Sequence, residues 1–256
     1  MSQVRTEQKI EIPFPSAAEP TLILRTGPCR IHFTVSDGPA WISGTYDDAT
    51  GVLPIEVRPG DVTTIAQRFD LTAFSSAVLP RLELAFSRER PFALEIESGA
   101  TDTKYDLGGI PLVRLSVRAG AGRFDLDFAS PNPTTMRSLE LSAGAGALSA
   151  KRLANAHFAS FRLGAGVAGC TLDFGGELAQ DASARIDMGL GSVDVFVPAT
   201  TAFRLRAKTF ATAVHTGVGF TKQGDVYVTQ PAAEGTHPVI DVDASVSFGA
   251  LNLSAT

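Results

Sequence analysis

Glycine triplets, aspartates two apart and four scattered histidines are the residues of this chain whose type and spacing could carry chemistry. Gly120-Ala-Gly122, Gly144-Ala-Gly146 and Gly164-Ala-Gly166 have the look of phosphate loops. Dinucleotide binding needs such glycines between a strand and a helix N-terminus, where free N–H groups meet the pyrophosphate. Here an alternating apolar run follows each triplet, so the next element is a further strand and the glycines read as corners. Asp125, Asp127 and Asp173 suggest the calcium-binding glycine–aspartate coils of some β-helices. That site needs its acids inside the glycine turn and repeated in adjacent coils. These acids lie in the following strand, and the copy around Gly144 has Ala147, Ser149 and Lys151 instead.

His32, His157, His215 and His237 share no repeat position and show no metal-ligand spacing. His32 alternates with Ile31 and Phe33, which points it outward on a strand. A Ser-His-Asp triad assembles only in space, yet no Gly-x-Ser-x-Gly elbow stands between a strand and a helix. A glycosidase needs paired carboxylates across a groove, whereas Asp125 and Asp127 sit on one strand with nothing visibly opposite. The expectation is a chain with no catalytic residue, no cofactor and no metal site. Cys29 and Cys170 are too few and too far apart for a disulfide framework. Cys170 falls on an inward position and should be an inert core thiol. Cys29 follows a Gly-Pro turn and is expected to be the more exposed of the two, with a structural role.

The elements that must position these residues repeat. With the glycine of each copy as zero, apolar residues fall at −5 and −3, a small residue at −1, and apolar residues again at +4, +6 and often +8. Around Gly120 these are Leu115, Val117, Ala119, Phe124, Leu126 and Phe128; around Gly166 they are Phe161, Leu163, Ala165, Cys170, Leu172 and Phe174. Gly144 and Gly189 keep the same frame, at spacings of 24, 22 and 23 residues. Alternation means β, because successive side chains point to opposite faces of a strand. Copies too small to bury their own apolar faces must stack. Each coil is expected to hold two or three short strands, with the glycine at a bend or bulge. Weaker copies centre on Gly27 and Gly99 before this run, and on Gly217 and Gly249 after it. Odd offsets, such as Ser116, Arg118, Asp125 and Asp127, should form a mixed, solubilising outer face.

The fold class expected is therefore all-β: a stacked, β-solenoid-like array over residues 92–256, with a less regular β portion over residues 1–91, joined as a single domain. Strands are expected at Ile10–Phe14, Thr21–Thr26, Arg30–Val35, Trp41–Tyr46, Val52–Val57, Asp61–Asp70 and Leu82–Phe86, with a longer loop over Leu71–Pro80. Trp41, Phe69, Phe74 and Phe86 either cover one end of the stack or, at Trp41 and Phe74, form a partner-binding patch. Of the 256 residues 44% are hydrophobic and 19% charged, which supports a continuous core and argues against disorder. A net charge of −5 argues against nucleic acid, which wants clustered Lys and Arg, and no polybasic segment is offered to anionic lipid. No apolar run is long enough for a membrane span, and the N-terminal residues do not read as a signal peptide. The expected location is cytoplasmic, with any place at the membrane held through a partner.

Residues 92–200 resemble the toastrack, or "putative adhesin", domains and the C-terminal domain of bacterial cell-wall stress regulators of the Lia type. The residues that carry the resemblance are Leu94-Glu-Ile-Glu-Ser-Gly99, Asp106-Leu-Gly-Gly-Ile-Pro-Leu112, Gly120-Ala-Gly122, Leu172-Asp-Phe-Gly175, Gly189-Leu-Gly-Ser-Val193 and Val195-Phe-Val-Pro198. The resemblance implies a stacked-strand β domain with no catalytic residues to carry over. It also implies a link to envelope stress, in proteins often attached to membrane helices. Two functions follow as expectations. One is a non-enzymatic interaction or scaffold domain, binding a protein partner or itself through its ends or sheet edges; the alternating pattern of Leu251-Asn-Leu253, close to residue 256, suggests an uncapped end. The other is a ligand-sensing domain with a pocket where the N-terminal part meets the repeats, near Trp41 and Phe74.

Overall fold

The computed structural model describes residues 6–68, 79–100 and 102–256. Seven strands come first: β1 (Thr6–Ile12), β2 (Thr21–Thr26), β3 (Arg30–Ser36), β4 (Ile42–Asp48), β5 (Ile55–Arg58), β6 (Val62–Gln67) and β7 (Arg81–Ser87). Then β8 (Phe92–Ala100) and β9 (Thr103–Asp106) lead into four strands of 16 residues each, β10 (Leu112–Asp127), β11 (Met136–Lys151), β12 (Phe158–Asp173) and β13 (Ala182–Val197). After them come β14 (Ala202–Thr216), the hairpin of β15 (Phe220–Gln223) and β16 (Val226–Thr229), a single helical turn α1 (Gln230–Ala233), and β17 (Val239–Ala255). The expected loop over 71–80 lies, up to residue 78, outside the described residues.

Each regular repeat is one long strand rather than two or three short ones. The strand runs through its central glycine without losing its ladder, and neighbours pair in parallel with the repeat frame aligned: Leu115 beside Leu139, Phe161 and Ala184, and Phe124 beside Leu148, Cys170 and Val193. Side chains on both sides of the glycine are buried, whereas those from about 120 to 123 in β10 are exposed. The strand therefore folds over the core, one arm on each side, with the glycine at the apex. From −3 to +4 is an odd step, which an unbroken pleat would send to the opposite face. The ladder skips the apex residue, and that local bulge restores the inward face on the second arm.

At the apices of β11, β12 and β13 glycine is required because the bent backbones come close. A Cβ on Gly144 would lie 2.5 Å from the carbonyl oxygen of Gly120, and one on Gly166 would lie 2.7 Å from that of Gly144. The adjacent ladders place Gly99, Gly120, Gly144, Gly166 and Gly189 in one column across β8, β10, β11, β12 and β13, and Gly27 follows the end of β2 beside it. Two expected apices fall elsewhere. Gly249 pairs with Gly191, two residues beyond the apex, where both have positive φ (133° and 139°); the apex residue of β17 is Ser247. Gly217 follows the end of β14, and the apex of that strand is Phe210.

Strand order also departs from chain order. The large sheet runs β15-β16-β14-β17-β13-β12-β11-β10-β8-β2-β6-β5, with β9 paired to β10. β17 thus slots between β13 and β14, so the Leu251–Leu253 pattern is interior and caps nothing. Composition explains the exchange: β17 buries Val242, Ala244, Val246, Leu251 and Leu253. β14 instead carries Lys208, Thr209, Thr212, His215 and Thr216, a polar set suited to an edge.

The earlier strands build a second sheet, β1-β4-β7-β3, against the same core. An unbroken chain of ring contacts links the two: Trp41 to Phe92 at 5.6 Å, Phe92 to Phe86 at 5.2 Å, Phe86 to Phe33 at 5.5 Å, Phe33 to Tyr105 at 5.2 Å and Tyr105 to Phe124 at 5.4 Å. A contiguous apolar cluster extends from Ile10 to Leu253. At the loops between coils two buried asparagines replace missing backbone partners. Asn132 Nδ2 donates to Leu112 O (2.8 Å), Asn155 Nδ2 donates to Phe128 O (2.9 Å), and the backbone N–H of Asn132 donates to Asn155 O (2.7 Å). These bonds tie one coil to the next where no strand can.

Candidate interaction surface

None of the residues with chemical potential converges on another to make a reactive site. His32 and His215 are exposed, and His237 Nδ1 lies 2.9 Å from Asp181 Oδ1 in an open pair. That contact, with a bond from the Val239 N–H, holds the Asp181 carboxyl below its usual range. Asp127 is taken by Arg152 (2.6 Å), and Asp173 accepts the Gly175 N–H (2.8 Å). Among the described residues no three His, Cys, Asp or Glu side chains come together as metal ligands. Cys170 is buried, as its inward position predicts, and burial pushes its thiol up to about 11. Cys29 is buried too, against the expectation of exposure: the ring of strands around it desolvates the thiol and pushes it up to about 12.

Trp41 cannot serve as a surface patch. It is fully buried, edge-on to Phe92, and so closes the core as Phe86 does. Phe74 and Phe69 lie outside the described residues.

The surface that does stand out runs along the apices. One position past each apex, the ladder aligns Ala121, Ala145, Val167, Leu190 and Phe248 in neighbouring strands. Val167 is 55% exposed, Leu190 49% and Phe248 49%, and Phe210, 85% exposed, stacks edge-on against Phe248 at 5.8 Å. Adjacent strands are ~4.8 Å apart, so these side chains form a crest roughly 15–20 Å long. Past the apices of β11, β12, β13, β17 and β14 its surroundings are uncharged, bounded by Arg123 at the β10 end and by Asp187 and Lys208 two residues before the apices of β13 and β14. From the apex to three residues beyond, five strands read Gly-Ala-Gly-Ala, Gly-Val-Ala-Gly, Gly-Leu-Gly-Ser, Ser-Phe-Gly-Ala and Phe-Ala-Thr-Ala. In a chain that is 19% charged, a strip of this size without one charge is a depleted region rather than an average one. Alternation alone misses the crest, because it assigns every odd offset to a mixed, solubilising outer face. The signal was available, since Val167 and Leu190 are large apolar residues at an offset that the core does not use.

The crest ends on an open edge. β14 pairs with β17 along its whole length, but on its other side only Arg204–Arg206 are paired, to β16. Among the described residues, no strand pairs with that side from Ala207 to Thr216. A second feature lies near the opposite end of the apex column. There an open cleft of about 750 Å³ is lined by Arg25, Gly27, Gln67, Glu97, Gly99 and Arg118 among others. Glu97 lies between two guanidinium groups, Arg25 at 2.8 Å and Arg118 at 3.3 Å.

The family model described as the N-terminal domain of toast_rack, DUF2154, matches residues 2–148. The chain belongs to the toast-rack family. Solved structures similar to this toast-rack chain include a "putative cell adhesion protein" from Clostridium sporogenes, with a TM-score of 0.54 and 16% identity over 98% of this chain and 100% of that one. A "putative lipid binding protein" from Parabacteroides distasonis aligns at a TM-score of 0.45 and 14% identity, over 98% and 96% of the two chains. A "putative adhesin" from Bacteroides fragilis gives 0.39 and 10%, over 99% and 98%. Identities this low speak to the fold alone, and the fold statement rests on the first. No curated protein matches the chain. The stacked all-β architecture implied by the toastrack resemblance is the one observed. No helix among the described residues is long and apolar enough to cross a membrane.

Proposed function

We propose that this toast-rack protein is a non-catalytic interaction domain that engages a protein partner through the crest of strand apices. The observation that carries the reading is the uncharged strip bearing Val167, Leu190, Phe248 and Phe210. Exposed apolar side chains gathered on a ridge gain free energy by leaving water, at roughly 25 cal/mol per Å². The core does not need them there, because the inward offsets are already filled. A photo-crosslinking amino acid placed at Val167 or Leu190, in the cell that makes the protein, tests this. Discrete protein adducts are expected at both positions and not at Arg81, which is 65% exposed on the second sheet. No discrete adduct at the crest, or equal adducts at Arg81, overturns the reading.

A second reading, a ligand-sensing domain, is favoured by the cleft at Arg25, Glu97 and Arg118, which lies where the N-terminal strands join the repeats. Its size falls within the range of small-molecule sites, and the Arg25 and Arg118 guanidinium groups would orient an anionic metabolite that displaces Glu97 from them. A rise in melting temperature with one member of an anionic metabolite panel, abolished by Arg118→Ala, supports it. No rise with any member removes it.

A further inference from the structure

We propose that two copies of this chain join through the open edge of β14, antiparallel, about a two-fold axis passing between Ala211 and Thr212. This rests on the interaction reading and names one partner for it, a second copy, next to the crest. Backbone N–H groups alternate sides along a strand. The N–H of Phe203 points away from β17, donating to Thr229 Oγ1 (3.0 Å), so those of Ala207 and Thr209 point to the open side as well. Beyond the apex the Gly217 N–H donates to Leu253 O of β17 (2.7 Å). The open-side groups of the second arm are therefore those of Thr212, Val214 and Thr216. The parity change at Phe210, which the ladder skips, has made the two arms mirror each other.

One register matches four of these five groups without touching a residue that is already paired, and leaves the Thr212 N–H, opposite the inward-facing Ala211, to solvent. With Ala207 opposite Thr216 of the second copy, Thr209 meets Val214, and every open-side group of these four residues faces another. In an antiparallel pair such residues exchange both bonds. A shift of one residue sets outward groups against inward ones. A shift of two meets either Leu205, already paired to β16, or Val218, where the chain has left the strand. The free edge is thus bounded at both ends, and its midpoint is the proposed axis. Because the axis passes just beyond the apex at Phe210, the first arm of each copy lies on the second arm of the other. Side chains agree: Phe210 meets Ala213, whose small size leaves room for the ring. Lys208, the one Lys or Arg between 207 and 216, meets His215 rather than its own copy.

Sedimentation of the full chain and a mixed-cysteine experiment test this together. Lys208 and His215 form a closely spaced, non-hydrogen-bonded pair in the proposed register, within disulfide reach. An equal mixture of Lys208→Cys and His215→Cys chains should oxidise to a covalent dimer. Neither variant alone should do so, since its own cysteine lies seven residues along the strand in the partner. The native thiols do not interfere, as Cys29 and Cys170 are 3% and 1% exposed. Thr209→Pro removes only an outward N–H and no bond to β17, so it should leave the melting temperature within a few degrees and abolish the dimer. A monomer at every concentration, a dimer whose mixed cysteines fail to link, linking by either variant alone, or a Thr209→Pro dimer overturns the proposal. Adduct formation at Val167, on a strand three removed from β14, is read separately. Failure of edge pairing with adducts retained therefore sinks the homodimer and not the interaction reading.

Discussion

Replacing Gly146, two residues past the apex of β11, with alanine tests directly how closely the bent strands stack. Gly146 has a φ of 128°, and a Cβ there would lie 2.0 Å from Gly122 O and 3.0 Å from Gly122 N. Two costs follow. Holding a side-chain-bearing residue in that region takes roughly 1–3 kcal/mol, and moving the backbone of β11 off that of β10 takes about 1–3 kcal/mol more. The sum is about 4 kcal/mol. Unfolding entropy is ~2.1 cal/mol/K per residue, or about 0.5 kcal/mol/K for 256 residues, so the melting temperature should fall by about 7 °C. Gly99→Ala is the matched control. It stands in the apex column without a positive φ, and its Cβ would meet nothing within 4 Å. Lower entropy of the unfolded chain should then leave stability unchanged or raise it by up to about 1 kcal/mol. Thermal melts followed by circular dichroism compare the two. If Gly146→Ala melts within 2 °C of the unaltered protein, or if Gly99→Ala falls as far, the close approach of stacked apices is wrong.

Asn155→Ala deletes the donor to Phe128 O and the acceptor for the Glu177 N–H (2.9 Å). Leaving the buried Phe128 carbonyl unpaired should cost about 1–3 kcal/mol, while the Glu177 N–H can turn to water; the loss is read from urea unfolding at an unchanged m-value. Both thiols should resist a thiol-specific reagent in the folded protein and react at once in denaturant. Burial pushes both above the ordinary thiol range, Cys29 up to about 12 and Cys170 up to about 11. The stability they contribute is therefore complete below about pH 9 and is lost as pH rises toward 11–12, a decline that pH-dependent unfolding should show and Cys29→Ala should reduce. Leu190→Ser and Phe248→Ser remove side chains already half in water. They should shift stability by no more than about 1 kcal/mol while eliminating crest adducts, and a larger loss would mean that the crest serves the fold.

Local pattern carried much of this architecture. Alternation identified the strands, and the step from Val117 to Phe124, which changes parity across Gly120, marked where each strand turns. Side chains at those offsets are buried in the structure, down to Cys170, because inward direction is a property of the strand and its immediate neighbours. The toastrack resemblance rested on the same glycines and aliphatic residues. What could not be read was anything decided between distant segments. β17 and β14 carry similar frames, and their exchange of places depends on which of two polar or apolar surfaces is cheaper to leave at an edge. Gly217 and Gly249 were misplaced for that reason, since an apex is defined by the neighbour it must clear and not by the glycine alone. The burial of Trp41 and Cys29 likewise depends on a second sheet folding back over the first. The crest and the free edge exist only after stacking: Val167 and Phe248 lie 81 residues apart, with Leu190 between them, and the stacking of parallel strands makes them neighbours.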